Sequence, residues 1–332
     1  MQHSKFSKII IWGYPLGTHT HSYIHYGYYR AFKALGYETL WWPQDRLNYE
    51  DFNDALVITE GFADVGIPLN STATYIVHYL GNKPDRQSKI NHYLNNVGRL
   101  IDLRYNANNW HDKNYDYNLN RDNAIAVGAG MYLEKGNTGY DMAYTTWATD
   151  LLPNEINLDD RFIQKERKIW YIGTVGGGNG DLDTCQQAPE YYDNKPDLLQ
   201  FKEACQKNGI EFLTNCPWKN PISNQNAKEL IQKSYLTVDI RHKAFKDWGY
   251  IPCRIWKNLS YGQIVGTNSK AVFDFCANQG FILPYSENPI ELFNLVKDFQ
   301  KDSYYIEKLM EGVRDHHTYI NRAKELLECL NL

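Results

Sequence analysis

The sequence predicts an α/β protein made of two Rossmann-like domains. Its 332 residues suffice for two domains of ordinary size, each with its own buried core. The chain opens with a short apolar run at residues 8–12, which a polar loop and a helix follow. The same order recurs after a second apolar run at residues 169–172. This recurrence is typical of two α/β units with parallel strands. We place the boundary near residue 150, where Pro, Asn and Asp interrupt any steady period over residues 147–160.

Composition excludes several classes of protein. A net charge of −4 argues against nucleic acid as the main partner, because binding to phosphate backbones depends on an excess of basic residues. No stretch approaches the roughly 18 apolar residues of a transmembrane segment, and residues 1–8 lack the apolar core of a secretory signal. The six cysteines show neither disulfide-framework nor zinc-site spacing. We therefore expect a soluble, cytoplasmic protein with no transmembrane segment.

The first domain carries polar side chains where its predicted strands end. The predicted strands are residues 8–12, 38–42, 55–59, 74–80, 97–103 and 124–129, and a helix is predicted at residues 28–35. The long loop before that helix contains His19, His21 and His25, and Glu60 follows the third strand. In an open α/β sheet these positions share the edge at which ligands bind. The alternative is that the imidazoles only cap the helix. No carboxylate or cysteine lies among the histidines in the loop, so we expect no metal site.

A glycine-rich loop opens the second domain directly after its first strand. It spans residues 173–184, and Gly173, Thr174, Gly176 and Gly177 are its candidate ligand-binding residues. Glycines let backbone N–H groups approach a phosphate or a sugar closely. The loop matches neither the GxGxxG fingerprint nor a P-loop. Asp181 and Asp183 form the pattern D-x-D, which elsewhere holds a divalent metal on a diphosphate, and we interpret it here as coincidental.

The remaining elements of the second domain alternate between helix and strand. Helices are predicted at residues 197–208, 226–234, 252–261, 289–301 and 304–330, and strands at 211–214, 235–240, 263–266 and 281–284. The strand ends deliver a further set of candidate ligand-binding residues, which are Asn215, Arg241, His242, Thr267 and Asn268.

The helix at residues 252–261 suits a diphosphate. Arg254 and Lys257 lie three residues apart, hence on one face and near the positive N-terminal end of the helix. The alternative is that both cations are merely solvated on a surface helix.

These residues carry a resemblance to a known family. The order P-x-R-x-x-K-x-L-S-x-G at residues 252–262, then T-N-S at 267–269 and DHHTYINRAKELL at 315–327, resembles the C-terminal domain of GT-B glycosyltransferases, nearest to the CgeB-like, family-1-like group. The resemblance covers about the last hundred residues. Where many relatives carry a ribose-binding Glu, this chain has Lys257, which we expect to contact phosphate instead.

The resemblance implies two facing Rossmann-like domains with a cleft between them. Residues 1–150 would bind the acceptor, residues 151–312 would bind the nucleotide-sugar donor, and a helix at 313–332 would pack back towards the first domain. The implied reaction is a metal-independent transfer of a sugar from a nucleotide-diphosphate sugar to a hydroxyl of a glycan or glycoconjugate. His21, with His19 and Glu60 as alternatives, would deprotonate that hydroxyl. A two-lobed sugar- or nucleotide-binding protein and a two-domain nucleotide-sugar epimerase are the alternative functions.

Overall fold

The computed structural model of the protein describes residues 6–19, 21–80, 85–105, 123–136, 139–176, 182–185, 188–216 and 220–331. The chain divides into two compact units: unit 1 comprises Met1–Asp150 with Tyr319–Leu332, and unit 2 comprises Leu151–Thr318. Both contain parallel strands connected through helices, so the predicted α/β class is confirmed. Within the described ranges, every helix is too short or too polar to cross a membrane.

Unit 1 is built on one sheet. Its strands are β1 (Ile9–Trp12), β2 (Thr39–Trp42), β3 (Leu56–Glu60), β4 (Thr74–His78), β5 (Arg99–Arg104), β6 (Ile125–Val127), β7 (Met131–Glu134) and β8 (Asp141–Thr145), and its first two helices are α1 (Ser22–Ala34) and α2 (Asp85–Leu94). The strand order is β2-β1-β3-β4-β5-β8-β7-β6. All pairs from β2 to β8 are parallel, whereas β7 runs antiparallel to both of its neighbours. The central strands β1, β3 and β4 are wholly buried, which explains their continuous apolar sequences.

Two features of unit 1 differ from the sequence prediction. The first helix begins at Ser22 rather than at residue 28, so the loop before it is shorter than expected. Strands β7 and β8 were not predicted, because glycines and polar residues from Gly136 onward suggested a connection. The segment predicted to close the sheet contains β6, which lies at the edge of the β6–β7–β8 meander.

Unit 2 contains two pairs of parallel strands. Its strands are β9 (Lys168–Ile172), β10 (Glu211–Asn215), β11 (Thr237–Asp239) and β12 (Val265–Thr267), and its helices are α3 (Lys195–Lys207), α4 (Asn224–Lys233), α5 (Lys243–Asp247), α6 (Cys253–Ser260), α7 (Lys270–Ala277), α8 (Pro289–Phe299) and α9 (Ser303–His316). Strand β9 pairs with β10, β11 pairs with β12, and β9 contacts β11. The strand predicted at residues 281–284 is absent, and an isolated bridge between Thr267 and Tyr285 follows it directly. Helices α5 and α7 were not predicted.

The last helix, α10 (Tyr319–Cys329), belongs to unit 1 and packs against α1. Gly27 of α1 lies so close to the Tyr319 ring that a Cβ atom there would overlap it. Arg322 is fully buried and forms a two-pronged ion pair with Glu325, at 3.0 and 2.9 Å. This ion pair anchors α10, because its two members also bond to backbone atoms of Ala129, Gly130 and Thr146.

Candidate functional site

The first cluster of functional side chains lies where strands of unit 1 end. Glu60 is the last residue of β3 and is only 1% exposed. Its Oε2 lies 2.6 Å from Nδ1 of His21, the residue directly before α1. His21 makes no side-chain hydrogen bond to the start of that helix, so capping is not the role of its ring. The contact instead ties a partly exposed imidazole to a buried carboxylate.

His19 lies beside this pair. Its ring centre is 4.8 Å from that of His21 and 4.2 Å from that of Tyr14, on which it stacks. Its Nδ1 accepts the backbone N–H of His21 at 3.1 Å. Burial, and then the charge of His21, lowers the pKa of His19, while Glu60 opposes the shift. The neutral ring is therefore favoured.

His25 completes the cluster from inside α1. It is fully buried, its Nδ1 accepts the backbone N–H of Tyr14 at 3.1 Å, and its Nε2 lies 4.0 Å from Oε2 of Glu60. Burial lowers the pKa of His25 to about 3, so the ring is neutral at ordinary pH. Because Nδ1 accepts a hydrogen bond, the ring proton is on Nε2 and faces the carboxylate. The ring also occupies the space that a Cβ on Gly13 would need, which explains the glycine there.

A carboxylate from elsewhere in the chain joins the histidines. The loop itself contains none, but β3 brings Glu60 to His19 and His21 from about forty positions along the chain. One ligand atom from each of these three residues lies within 4.8 Å of the others. Two imidazoles and a carboxylate are a set of ligands that transition metals accept.

The second cluster lies at the strand ends of unit 2 and is centred on Asp239. This carboxylate is fully buried at the end of β11, and its Oδ1 accepts bonds from Nε of Arg241 at 2.6 Å and from Nη1 of Arg254 at 3.1 Å. Oδ2 has no hydrogen-bond partner among the described residues. Two guanidinium groups thus share one carboxylate, and the three side chains together carry one net positive charge.

Aromatic rings fix both guanidinium groups. Arg254 lies over the ring of Tyr171 at 4.2 Å and donates from Nη2 to the carbonyl of Ile172 at 3.1 Å. Arg241 lies 5.5 Å from the ring centres of Phe245 and Tyr250. Stacking and ion pairing leave few orientations to each planar group.

Lys257 does not lie where the sequence suggested. Helix α6 has only eight residues, so Lys257 is in its last turn, near the carbonyl end, rather than beside its N-terminus. Arg254 is in the first turn, and its guanidinium donates to the Asp239 carboxylate and to the Ile172 carbonyl at the end of β9. The prediction that the two cations flank the positive end of the helix is wrong in this respect.

The first part of the glycine-rich loop, residues 173–176, folds around Asn194. Oδ1 of Asn194 accepts the N–H of Gly176 at 2.9 Å, and its Nδ2 donates to the carbonyls of Thr174 and Ile240 at 3.3 and 3.0 Å. Gly176 has a φ of +49°, and a Cβ on Gly173 would overlap the Arg254 guanidinium. The loop is thus held against the Asp239 cluster, and its glycines are needed for conformation and close approach.

Two members of the loop prediction lie outside the described residues, namely Gly177 and Asp181. The second acidic residue of the D-x-D pattern, Asp183, is 73% exposed and pairs with Lys202 at 2.6 Å. This pairing gives Asp183 an ordinary surface role.

The other predicted residues of unit 2 mainly support the strand ends. Asn268 is fully buried, accepts the N–H of Arg241 at 2.7 Å and donates to the Asp197 carboxylate at 3.1 Å. Thr267 is buried and accepts the N–H of Ser269. His242 caps α5, and burial lowers its pKa to about 4. Thr267 and Asn268 thus bond within the strand ends, and their contact with a ligand stays a prediction.

Asn215 differs from these three residues. Its carbonyl accepts the N–H of Gly173 at 3.0 Å, and its side-chain Oδ1 is buried without a hydrogen-bond partner among the described residues. That oxygen is a candidate acceptor for a ligand group.

Two important residues were absent from the predicted site. Asp239 was recognised only as part of a charged strand end, although a carboxylate between two nearby arginines is itself a signal of an ion-pair cluster. Asn194 directly precedes a Lys-Pro-Asp helix start, which suggests a helix cap, but its side chain binds the loop instead.

Comparison with known proteins gives distant structural likenesses only. No family model and no curated protein sequence matches the chain. An α,α-trehalose-phosphate synthase (UDP-forming) from Burkholderia xenovorans, in complex with glucose-6-phosphate, is 11% identical, with a TM-score of 0.42 over 94% of this chain and 80% of the other. The glycotransferase of kitacinnamycin is 10% identical, with a TM-score of 0.41 over 98% of this chain and 99% of the other. At this distance neither likeness bears on the activity.

Proposed function

We propose that the protein transfers a sugar from a nucleotide-diphosphate sugar to a hydroxyl acceptor, with unit 2 holding the donor and His21 of unit 1 acting as the base. The observation that carries the proposal is the 2.6 Å contact between His21 Nδ1 and the buried Glu60 carboxylate. An imidazole oriented in this way by a carboxylate is the arrangement that activates hydroxyl groups in many enzymes.

The base step follows from the tautomer. When the Nδ1–H of His21 forms the hydrogen bond to Glu60, the ring has a lone pair on Nε2. This lone pair accepts the proton of the acceptor hydroxyl. The resulting oxygen nucleophile forms a bond to the anomeric carbon as the bond from that carbon to the diphosphate oxygen breaks. The departing electron pair remains on the diphosphate. A dedicated base is what an inverting transfer requires, so we propose inversion at the anomeric centre.

The donor side is supported by the charge of the Asp239 cluster. The two positive charges of Arg241 and Arg254 exceed the single negative charge of Asp239 by one. The ion pairs and the neighbouring aromatic rings hold both guanidinium groups in place before a ligand arrives. Fixed guanidinium groups stabilise the negative charge that develops on a leaving diphosphate. In this proposal they supply the charge that a metal ion provides in other transferases, so donor binding is independent of divalent metal.

The experiment is a transfer assay with purified protein, in buffer containing EDTA. UDP-, GDP- and dTDP-sugars are first ranked by thermal shift, with a CMP-sugar as a monophosphate comparison, and the best diphosphate donors are incubated with mixed hydroxyl acceptors. We expect nucleotide release that depends on the acceptor, together with a new glycoside detected by mass spectrometry. Interconversion of the donor sugar without an acceptor indicates an epimerase, and stabilisation without turnover indicates a binding protein. Either result refutes the proposed transfer.

The base is tested with His21→Ala. We expect turnover to fall by roughly a hundredfold or more while donor affinity is kept. His92→Ala is the matched control, because His92 is an exposed histidine of unit 1 in the last turn of α2. If His21→Ala and His92→Ala turn over equally fast, His21 is not the base.

A further inference from the structure

We propose that His19, His21 and Glu60 also form a binding site for a first-row transition-metal ion, with Zn²⁺ the best match. The proposed transfer does not use such an ion. The three residues come from two elements, the segment before α1 and the end of β3, and their ligand atoms lie within 4.8 Å of one another. Two imidazole nitrogens and one carboxylate oxygen are the protein ligands of one common type of open zinc site.

The geometry requires only a small movement. Around tetrahedral zinc, ligand atoms are about 2.0–2.2 Å from the ion and hence roughly 3.3 Å from each other. The His21–Glu60 contact of 2.6 Å opens slightly to admit the ion, and His19 closes towards it. His19 and His21 are both partly exposed and lie outside the sheet, whereas Glu60 is the buried last residue of β3.

His25 is excluded as a fourth ligand. The Tyr14 N–H bonds to its Nδ1, so the buried ring presents a proton, not a lone pair, at Nε2. That nitrogen lies 4.0 Å from Oε2 of Glu60, beyond hydrogen-bond distance, and has no hydrogen-bond partner among the described residues. The site therefore offers three protein ligands and leaves a coordination position to water.

Metal and base roles exclude each other at His21. A metal ion on Nδ1 displaces the proton held towards Glu60, and the neutral ring then carries its proton on Nε2. Such a ring cannot accept a proton from a hydroxyl. Zn²⁺ is thus expected to inhibit transfer reversibly, a consequence that rests on the proposed function, whereas metal binding itself does not.

The test uses tag-free, EDTA-treated protein carrying Cys253→Ser, which removes the exposed thiol as a competing ligand. Zn²⁺ affinity is measured by competition with a chromophoric chelator, and Co²⁺ is added to read the coordination from its visible spectrum. We expect one ion per chain and a tetrahedral Co²⁺ spectrum. His19→Ala and Glu60→Gln should each weaken binding at least about tenfold, since even outer-shell partners of metal ligands are worth about 10- to 100-fold.

His92→Ala again serves as the control and should bind Zn²⁺ like the parent. Absence of stoichiometric binding, or binding that survives His19→Ala, overturns the site. Should Glu60→Gln fail to fold by circular dichroism, His19→Ala decides alone, because His19 lies outside the sheet. In the transfer assay, Zn²⁺ inhibition should be reversed by EDTA and weakened in His19→Ala. If no transfer occurs at all, the proposed function fails while the binding result still stands.

Discussion

Replacing Glu325 with Leu tests how α10 is attached to unit 1. The carboxylate accepts both Nη1 bonds of Arg322 and the backbone N–H groups of Ala129 and Gly130, at 3.0 and 3.3 Å. Arg322 in turn donates to the carbonyl and the hydroxyl of Thr146 at 3.1 and 2.9 Å. In Glu325→Leu the guanidinium, which is 0% exposed, loses its counter-charge without gaining water.

The magnitude follows from that burial. Removing one partner of a buried ion pair costs about 3–5 kcal/mol, mostly because the remaining charge is left uncompensated. The two orphaned N–H groups contribute to the same loss, so we do not add them separately. For a unit of this size, each kcal/mol lowers the melting temperature by about 2–4 °C, which gives a decrease of roughly 6–20 °C. The double variant Arg322→Leu/Glu325→Leu removes the stranded charge and should recover at least about 1 kcal/mol.

The assay is urea denaturation combined with hydrogen-exchange mass spectrometry, which assigns the loss to unit 1 peptides. Glu311→Leu is the matched control: the Lys308–Glu311 pair has the same i,i+3 spacing but is 51% and 30% exposed. We expect it to cost less than about 1 kcal/mol. If Glu325→Leu costs no more than Glu311→Leu, or if the double variant is less stable than Glu325→Leu, the charge-based reasoning is wrong.

Three further predictions concern the two clusters. Arg254→Ala should weaken nucleoside diphosphate binding by roughly 10- to 100-fold in calorimetry, because a hydrogen bond to a charged group is worth about 1.5–3 kcal/mol. Arg314→Ala on α9 should leave the affinity unchanged. Gly176→Val places a β-branched residue at a φ of +49° and should cost about 1–3 kcal/mol of stability as well as donor affinity, measured by thermal melting and calorimetry; full retention of both contradicts the loop's role. Because burial lowers the pKa of His25 to about 3, against about 6.5 in the unfolded chain, only the unfolded state gains this proton as the pH falls below about 6.5. The free energy of unfolding should therefore drop by about 2 kcal/mol from this group by pH 5, and urea titrations of His25→Gln should show a smaller drop.

The sequence was most informative where local signals and burial agree. Continuous apolar runs such as residues 8–12 and 55–59 mark β1 and β3, because strands covered on both faces have no polar side. The rule that parallel strands end at one edge also grouped His21 with Glu60. The hydrogen bond between their side chains could not be predicted, because it depends on the backbone path of the loop before α1.

The features that the sequence did not predict correctly have physical causes. Strands β7 and β8 form a meander whose pairing depends on β5, a partner distant in sequence, so local composition indicated a connection. The position of Lys257 depends on where α6 starts and stops, and a shift of a few residues moves a side chain from one helix end to the other. The partners of Arg254 depend on side-chain packing, which the spacing of residues along a helix does not predict.

The division of the chain has a consequence for biosynthesis. Unit 2 is an insertion into unit 1, since Leu151–Thr318 separates α10 from the rest of its own unit. During translation the first 150 residues leave the ribosome without α10, and the surface of α1 around Gly27 and Tyr28 stays uncovered until the end of the chain is made. Domains generally fold as units in order of synthesis, but here unit 2 is complete before unit 1. A ribosome-bound chain that stops at Thr318 and continues into a flexible linker long enough to span the exit tunnel should therefore contain a protease-resistant unit 2 beside an unfinished, chaperone-dependent unit 1.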